Sequence, residues 1–428
     1  MTGRVSLAAL LIAASCAGPP HRTPPRTWRV YGGNPEGTRY SPLDQINRDN
    51  VEHLEVAWTY DSKEEGGLQA NPIVVDDVVY VTTPRHRVVA LDAGTGVVRW
   101  RFDSRIEGRG PNRGVTYWES GEDRRIFTAQ DQYLYALDAR SGEPASGFGK
   151  EGRIDLREDL GRPADEQSVR LTTPGIVYKD LLIVGGRVGE ELPSSPGHVR
   201  AYDARSGRLR WIFHTIPHPG EPGYQTWPKE AWKVSGGANN WAGMALDEER
   251  GIVYVPTGSA APDFYGANRL GDNLFANSIL ALDAATGRKV WHFQAIRHDL
   301  WDRDFPAPPT LVTVRHGGRR IDAVAQTSKQ GFVYLLDRVD GRSLFPLDTL
   351  ETHPSTVEGE VAADAQVLPA KPAPFARQRL TEDDLTTRTP EAREKVLEFF
   401  RALRNDGPFV PFGVEKDTIV FPGYDGGA

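Results

Sequence analysis

The sequence predicts an all-β protein of the β-propeller class, and two observations lead to that prediction. The first is a phrase that recurs five times: an apolar run, then Asp-x-x-(Ser/Thr/Asp)-Gly, then a second run that often ends in Trp. The second is the spacing of its aspartates, which stand at positions 92, 138, 203, 283 and 337. A period near 45 residues, lengthened by insertions, is typical of propeller blades with four strands each.

Each phrase has the chemistry of a tight hairpin turn. The Asp side chain can bond the nearby backbone, and the Gly supplies the positive φ that such turns require. Further strand pairs precede the phrases, at 72–83, 175–186 and 323–337. We expect the tryptophans that end three phrases to pack between blades rather than to contact a ligand; they are Trp100, Trp211 and Trp291.

Two long insertions interrupt the repeat. Residues 214–247 are rich in Gly, Pro and aromatic side chains, and loops carried on a rigid scaffold often supply functional sites. In the insertion after the fifth phrase, Thr389 suits a helix N-cap, Pro390 the first helical position and Gly407 the position past the end. The sequence therefore predicts loop and short helical insertions in a β framework.

Composition restricts the classes of function. The chain has 428 residues, 39% apolar and 25% charged, which suits a soluble globular protein with a sizeable core. A net charge of −7 argues against a nucleic-acid partner, which requires a basic face. Cys16 is the single cysteine, so an internal disulfide and a thiolate metal cluster are excluded from the folded body.

The N-terminus resembles a targeting segment. Residues 1–16 have the pattern of a signal peptide, with an apolar run too short to cross a bilayer. The "AASC" ending resembles a bacterial lipoprotein cleavage site, which would leave a lipid-anchored N-terminus at Cys16; ordinary signal-peptidase cleavage nearby is the alternative. Residues 17–27 read as a Pro-rich tether, and residues 28–428 as the propeller domain. We therefore expect the body to lie outside the cytoplasm.

Several long motifs resemble one known family. They are "WRVYGGNPEGTRYSPLDQINRDNVEHLEVAWTYD" (28–61), "NRGVTYW" (112–118), "ANNWAGMALD" (238–247), "PTGSAAPDFYGANR" (256–269) and "HDLWDRDFPAPP" (298–309). Together with the turn phrase, they resemble the pyrroloquinoline-quinone (PQQ)-dependent quinoprotein dehydrogenases of alcohols and glucose. Within that family, the chain looks most similar to the membrane-type glucose dehydrogenase branch.

The resemblance implies an eight-bladed type of propeller that works in the periplasm. Such enzymes oxidise alcohols, polyols or sugars with PQQ, and usually carry Ca²⁺ or another divalent or lanthanide ion. Their electrons pass to a quinone or a cytochrome c. The sequence stops where relatives continue for roughly two more blades, so we expect about six blades and a truncated domain. An unclosed ring would leave an unpaired sheet edge.

The resemblance also assigns cofactor-binding residues. Trp241, in "NNW", matches the indole beneath PQQ, and Arg113, in "NRG", matches the arginine at its quinone end. Lys329 falls where alcohol-type relatives carry Arg, and would donate to the quinone oxygens. Thr172 matches a hydroxyl donor to a PQQ carboxylate, with Thr173 nearly equivalent. Gln69 stands where the family has Glu.

Asp302, in "HDLWD", occupies the position of the family's catalytic aspartate. Its expected role is general base, which requires an ionised carboxylate within hydrogen-bond reach of the substrate hydroxyl. A nearby cation would help to keep it ionised. Asp299 and Asp304 are expected to be bystanders that bond the backbone, His298 or Arg303.

The metal ligands that the resemblance implies are Glu190 and Asp302, with Glu191 as the alternative to Glu190. Ser259 stands where alcohol-type relatives supply an Asn ligand, and a serine hydroxyl is a poorer ligand. His298 is not expected to bind Ca²⁺, which prefers oxygen. Relatives also show features absent here, such as a disulfide between adjacent cysteines and a multi-helix membrane anchor, so glucose is not secured as the substrate.

The rival interpretation is a non-enzymatic β-propeller lipoprotein scaffold of the outer-membrane assembly type. It would share the turn phrase and the lipidated N-terminus. It would not need "NNW", "NRG" and "HDLWD" together, and their co-occurrence favours the enzyme. A third interpretation is a degenerate relative that binds PQQ weakly.

Overall fold

A computed structural model describes residues 28–108 and 110–426, so the expected signal peptide, tether and Cys16 lie outside the described residues. The first blade contains β1 (Ile73–Val75), β2 (Val78–Thr82), β3 (Val88–Asp92) and β4 (Val98–Phe102). The second contains β5 (Thr116–Ser120), β6 (Asp123–Gln130), β7 (Tyr133–Asp138) and β8 (Arg153–Asp155). In each blade, consecutive strands pair antiparallel, which agrees with the predicted β-propeller class.

The following strands continue this arrangement. They are β9 (Val169–Arg170), β10 (Ile176–Tyr178), β11 (Leu181–Val184), β12 (Arg187–Val188), β13 (Val199–Asp203) and β14 (Leu209–Phe213). The strands β9 and β12 pair with each other, and the other four form the third blade. The fourth blade contains β15 (Ala245–Asp247), β16 (Ile252–Pro256), β17 (Ser278–Asp283) and β18 (Lys289–Gln294).

The last sheets are smaller. A three-stranded sheet contains β19 (Thr310–His316), β20 (Arg319–Thr327) and β21 (Val333–Asp337), and β22 (Leu347–Glu351) pairs with β23 (Ala365–Pro369). Across residues 28–108 and 110–426 there are thus four four-stranded blades, a three-stranded sheet and two pairs. These sheets do not confirm the expected count of about six blades.

Two α-helices interrupt the strands of the described segments, α1 (Ala231–Val234) and α2 (Pro390–Ala402). The predicted N-cap of α2 is confirmed, because Thr389 Oγ1 accepts a hydrogen bond from Ala392 N at 3.1 Å and Pro390 opens the helix. The helix ends at Ala402, five residues before Gly407. None of the helices in these segments combines the length and the apolar character needed to cross a membrane.

The turn phrases fold as predicted. Asp92 Oδ1 accepts hydrogen bonds from the backbone N–H groups of Gly94 and Thr95, and Gly96 has φ +71°. The same aspartate-centred turn recurs at Asp138, Asp203 and Asp283. In the first, third and fourth blades, the phrase is therefore the hairpin between the third and fourth strands.

Four hydrophobic clusters hold adjacent blades together, one between each neighbouring pair from the first sheet to the fifth. Side chains alternate between the two faces of each sheet. In β6, Ile126 faces the first blade and Phe127 the third. In β17, Ile279 and Leu280 face opposite neighbours in the same way. Burial of both faces explains why the strands read as nearly continuous apolar runs.

The tryptophans of the phrases pack between blades, as predicted. Trp100 Nε1 donates to Ala139 O at 3.0 Å, directly after the turn aspartate of the next blade. Its ring lies against the turn glycine, since a Cβ on Gly142 would sit 2.5 Å from Trp100 Cε3. The same contacts join Trp211 to Ala284 and Gly287, and Trp291 to Arg338 and Gly341.

Trp58 makes the same contact on the first blade, ahead of the strands. Its Nε1 donates to Ala93 O at 3.1 Å, and a Cβ on Gly96 would lie 2.6 Å from the indole. Residues around Trp58 therefore occupy the place of an outer strand that precedes the first blade. Apolar side chains of this segment are exposed, with Val56 83% and Leu54 59% accessible.

The chain segment before Trp58 connects distant blades. Trp28 pairs with Val74 of the first blade. Pro35 O accepts from Leu246 N at 2.8 Å, and Glu36 O accepts from Leu311 N at 2.9 Å, which attaches the segment to the first strands of two later sheets. Residues 28–36 thus contact three sheets and connect them.

Replacement of a docked turn glycine is expected to destabilise the fold more than replacement of an open one. Gly142 (φ +76°) and Gly121 (φ +62°) both have left-handed backbones, but a Cβ on Gly121 meets nothing within 4 Å. We expect Gly121→Ala to lower the free energy of unfolding by about 1–2 kcal/mol from backbone strain. Gly142→Ala should lower it by about 2–5 kcal/mol, since overpacking against Trp100 adds to that strain.

Urea unfolding followed by tryptophan fluorescence measures this difference. Equal losses of stability in the two variants would show that the contact between indole and glycine does not contribute to blade docking.

Candidate functional site

A cavity of about 200 Å³ opens where loops from several blades meet. Its walls come from the segments that lead into β5, β10, β15 and β19, and from loops inside the third to fifth sheets. Because strands within a blade alternate in direction, a loop that enters the first strand and a loop that joins the second to the third lie at the same end. The cavity therefore collects side chains distant in sequence; they include Arg113, Thr172, Glu190, Trp241, Ser259, Asp263, Asp302, Asp304 and Lys329.

Trp241 and Arg113 form one side of the cavity. The Arg113 guanidinium carbon lies 5.4 Å from the centre of the Trp241 ring, a cation–π distance. Thr173 Oγ1 donates to Trp241 O at 2.6 Å and Thr172 Oγ1 at 3.3 Å, so two buried hydroxyls fix the backbone beneath the indole. Burial lowers the pKa of Arg113. No carboxylate pairs with Arg113 within residues 28–108 and 110–426.

Asp302 and Lys329 face Trp241 from the loops after β18 and β20. Lys329 Nζ donates to Asp302 Oδ2 at 2.7 Å and lies 3.5 Å from Asp304 Oδ2. Asp304 in turn accepts from Trp241 Nε1 at 2.8 Å and from Ser259 N at 2.5 Å. The indole, the lysine and two carboxylates thus form one connected network.

Burial raises the pKa of Asp302 to about 8, and the negative charge of Asp304 adds to the effect while Lys329 opposes it. Burial alone would lower the pKa of Lys329, but the Asp304 and Asp302 carboxylates outweigh it and leave that pKa above its usual value. Asp302 also has φ +55°, in the left-handed region that Asp adopts more readily than most residues. A strongly perturbed pKa in a cavity is typical of functional sites.

The remaining residues of "HDLWDRD" hold this loop in place. Asp299 accepts hydrogen bonds from the backbone N–H groups of Trp301 and Arg303 and from Asn277 Nδ2. Trp301 is buried and donates to Val410 O at 2.8 Å. The role of Asp299 as a backbone-bonding bystander agrees with the sequence analysis. Asp304 differs, because its side chain lines the cavity instead of bonding His298 or Arg303.

The expected metal ligands lie in different surroundings. Glu190 lines the cavity but is exposed and pairs with Arg187 at 2.7 Å. Ser259 also lines the cavity, and its Oγ donates to Asp299 Oδ2. Gln69 is exposed and is not among the residues that line the cavity. The structure thus brings together every predicted site residue except Gln69.

Asp263 is a cavity residue that sequence reasoning missed. Burial raises its pKa to about 8, and the charges of Asp304, Glu190 and Asp299 add to the effect. Its only sequence signal is an acidic residue in the Gly/Pro-rich loop between β16 and β17, inside the motif "PTGSAAPDFYGANR". Four carboxylates therefore converge on this cavity, from Glu190, Asp263, Asp302 and Asp304.

Comparisons with known proteins agree with this geometry. The chain is 32% identical over 439 residues to quinoprotein glucose dehydrogenase A of Acinetobacter calcoaceticus, across 92% of this chain and 54% of that protein. It is 31% identical to the quinate/shikimate dehydrogenase (quinone) of Acinetobacter baylyi, across 94% of this chain and 53% of that protein. The chain thus spans about half the length of the curated relatives it matches.

This chain is also similar to a solved structure of a quinohemoprotein enzyme. The quinohemoprotein alcohol dehydrogenase of Pseudomonas putida superposes with a TM-score of 0.67 at 31% identity, over 76% of this chain and 49% of that one. Residues 28–428 match the family described as the PQQ glucose/ethanol/alcohol dehydrogenase β-propeller domain. This chain therefore belongs to the PQQ-dependent quinoprotein dehydrogenase family.

Proposed function

We propose that this chain carries the cofactor-binding and catalytic residues of a PQQ-dependent dehydrogenase that oxidises an alcohol, polyol or sugar. One observation supports this most: Trp241, Arg113, Lys329 and Asp302, which come from separate loops, line one cavity. A mostly buried Asp302 paired with Lys329 in a cavity is not required of a propeller scaffold without enzymatic activity. Electrons would pass to a quinone or cytochrome c, as the family resemblance implies.

The donor set fits a planar, acidic quinone. Trp241 offers an apolar ring face, and Arg113 stands beside it as a cation with no carboxylate partner among the residues that the structure describes. Thr172 lies at the cavity wall, where its hydroxyl can reach a carboxylate. Bound PQQ would supply the acceptor for the hydride that leaves the substrate carbon. Gln69 stays an expected contact from the family resemblance alone.

Asp302 would accept the proton of the substrate hydroxyl. Its Oδ2 is held by Lys329 Nζ at 2.7 Å, so Oδ1 is the oxygen that can face a substrate. Lys329 would keep the carboxylate oriented and stabilise negative charge that develops on the cofactor oxygens. Both side chains are mostly buried, Lys329 with 9% and Asp302 with 14% of the side chain accessible, and the lower local dielectric strengthens both interactions.

A hard cation also fits the cavity. Four carboxylates line it, and Lys329 alone contacts both Asp302 and Asp304. Glu190 and Asp302 are the proposed ligands, and Ca²⁺ or another oxygen-seeking ion would offset their charge and that of Asp263. Such an ion would also lower the pKa of Asp302 and favour its basic form.

We further propose a periplasmic location with a lipid anchor at Cys16, on the N-terminal sequence pattern.

Replacement of Asp302 by Asn is expected to abolish turnover while the cofactor still binds. We expect dye reduction to fall by about 10²–10⁴-fold, because the amide cannot accept a proton. The 428-residue chain is reconstituted with PQQ and Ca²⁺ and assayed over a panel of alcohols and sugars, with PQQ binding followed by absorbance.

The matched control is Asp340→Asn, on an exposed turn of the fifth sheet. Asp302→Asn activity equal to that of the parent chain would exclude Asp302 as the base. Failure of the parent chain to bind PQQ at all would contradict the proposed function and favour the scaffold interpretation.

The pH dependence should move when a neighbouring charge is removed. Burial raises the pKa of Asp302 to about 8 and a bound cation would lower it from there, so in the chain loaded with PQQ and Ca²⁺ kcat/KM should rise with pH through a pKa below that value. Asp263→Asn removes a negative charge that raises this pKa, so the rising limb should move to lower pH by roughly half to one unit. The measurement is the dependence of kcat/KM on pH over roughly pH 5–10. An unchanged limb, or a shift to higher pH, would contradict this assignment.

A further inference from the structure

Three histidines lie close together beside the insertion between β14 and α1, outside the cavity described above. His198 stands just before β13, and His214 and His218 follow β14. One ring nitrogen of each lies within 4.8 Å of the others. The rings of His214 and His218 are stacked 3.8 Å apart at 9°, and the His198 ring centre is 4.7 Å from that of His214. The proposed dehydrogenase function uses none of them.

The proton positions leave ring nitrogens free to act as ligands. His214 Nδ1 lies 2.8 Å from Glu221 Oε1, which places a proton on Nδ1 and a lone pair on Nε2. The other oxygen of Glu221 accepts from His218 N at 2.7 Å, so the carboxylate is fixed. A carboxylate that holds the far nitrogen of a histidine is the usual outer partner of a metal-binding imidazole.

Two of the rings also favour the neutral form that metals require. Burial lowers the pKa of His198 well below its usual value, and the charges of His214 and His218 act in the same direction. Burial also lowers the pKa of His218, with His214 as the next cause. His198 and His218 can therefore offer lone pairs at neutral pH.

We propose that His198, His214 and His218 bind a divalent ion of the zinc and copper class. Tetrahedral ligation at about 2.0–2.1 Å places ligand nitrogens roughly 3.4 Å apart, so the nitrogens, now within 4.8 Å, must move closer, and the stacked rings of His214 and His218 must tilt apart to direct both lone pairs at one ion. Imidazole ligands favour zinc and copper, whereas calcium takes oxygen. The site is therefore chemically distinct from the carboxylate-lined cavity.

Binding has two costs that the structure makes visible. Thr215 N donates to His198 Nδ1 at 3.2 Å, so ligation through Nε2 moves the proton to Nδ1 and loses that long hydrogen bond. The second cost is electrostatic repulsion of the ion by Arg200 and Arg162, whose positive charges also help to lower the pKa of His198. The guanidinium of Arg162 donates to the carbonyls of Ser194, Trp232 and Ser235, while Glu221 supplies an opposing negative charge beside His214.

An ion here would tie the insertion to the third blade. His198 leads into β13, whereas His214 and His218 belong to the loop that ends at α1. Gly197, next to His198, donates its N–H to Gly237 O at 2.9 Å, and Gly237 lines the candidate active cavity. The ion would therefore stabilise the backbone beside one wall of that cavity without contacting the residues proposed to bind Ca²⁺ there.

Titration of the full chain, prepared without a histidine tag, with Zn²⁺ tests the site by calorimetry. We expect one ion per chain, and His214→Gln should weaken binding at least 10-fold. Glu221→Gln should weaken it by about 10–100-fold, because it removes the outer partner of His214. His353→Gln, an exposed histidine far along the chain, is the matched control and should leave binding unchanged.

A second readout separates ligation from folding. Co²⁺ in place of Zn²⁺ should give the visible absorption of a tetrahedral nitrogen site in the parent chain and not in His214→Gln, with far-UV circular dichroism equal in both. Zn²⁺ binding that persists in His214→Gln, that an equal concentration of Ca²⁺ displaces, or that is absent from the parent chain would overturn the proposal. This result does not depend on PQQ binding, so it stands or fails separately from the dehydrogenase function.

Discussion

The fold depends on one repeated interaction, an indole that lies flat on the turn glycine of the next blade and donates to the carbonyl beside it. Trp100, Trp211 and Trp291 each make this contact, and Trp58 repeats it on the first blade. It sets the offset between the sheets that it joins, because only a glycine leaves room for the ring; between the second and third blades, Gly207 lies against Phe148 and Ile154 instead. With the offset fixed, the loops at one end of the blades take fixed positions. Residues from separate loops can then meet in one cavity.

That rigidity allows the cavity to hold charges that would otherwise be costly. Three carboxylates, those of Asp263, Asp302 and Asp304, share a mostly buried space with Lys329. Burial of like charges without full pairing lowers the stability of the folded chain. The docked blades supply the surplus of apolar burial that offsets this cost. Such a cluster is therefore better explained by binding and chemistry than by a contribution to folding.

The sequence permitted prediction of features that are local. The turn at Asp92 and Gly96 and the cap at Thr389 depend on a few adjacent residues, so their chemistry is visible in the string of letters. The family motifs led to Trp241, Arg113, Lys329 and Asp302, although only the structure shows them in one cavity. Their roles stay predictions.

Other features depend on contacts between distant residues. Asp304 follows Asp302 by two positions and was expected to be a bystander, but its orientation is decided by Trp241 and Ser259, which lie in other loops. Asp263 was missed because its effect arises from burial next to other acids. Every residue lining the cavity falls between Pro111 and Lys329, an arc from the loop before the second blade to the fifth sheet. Residues outside this arc hold the loops that line the cavity, because Trp301 Nε1 donates to Val410 O at 2.8 Å and Arg303 donates to Pro422 O at 2.8 Å. The lining of the cavity and the support of its loops therefore come from different parts of the described chain.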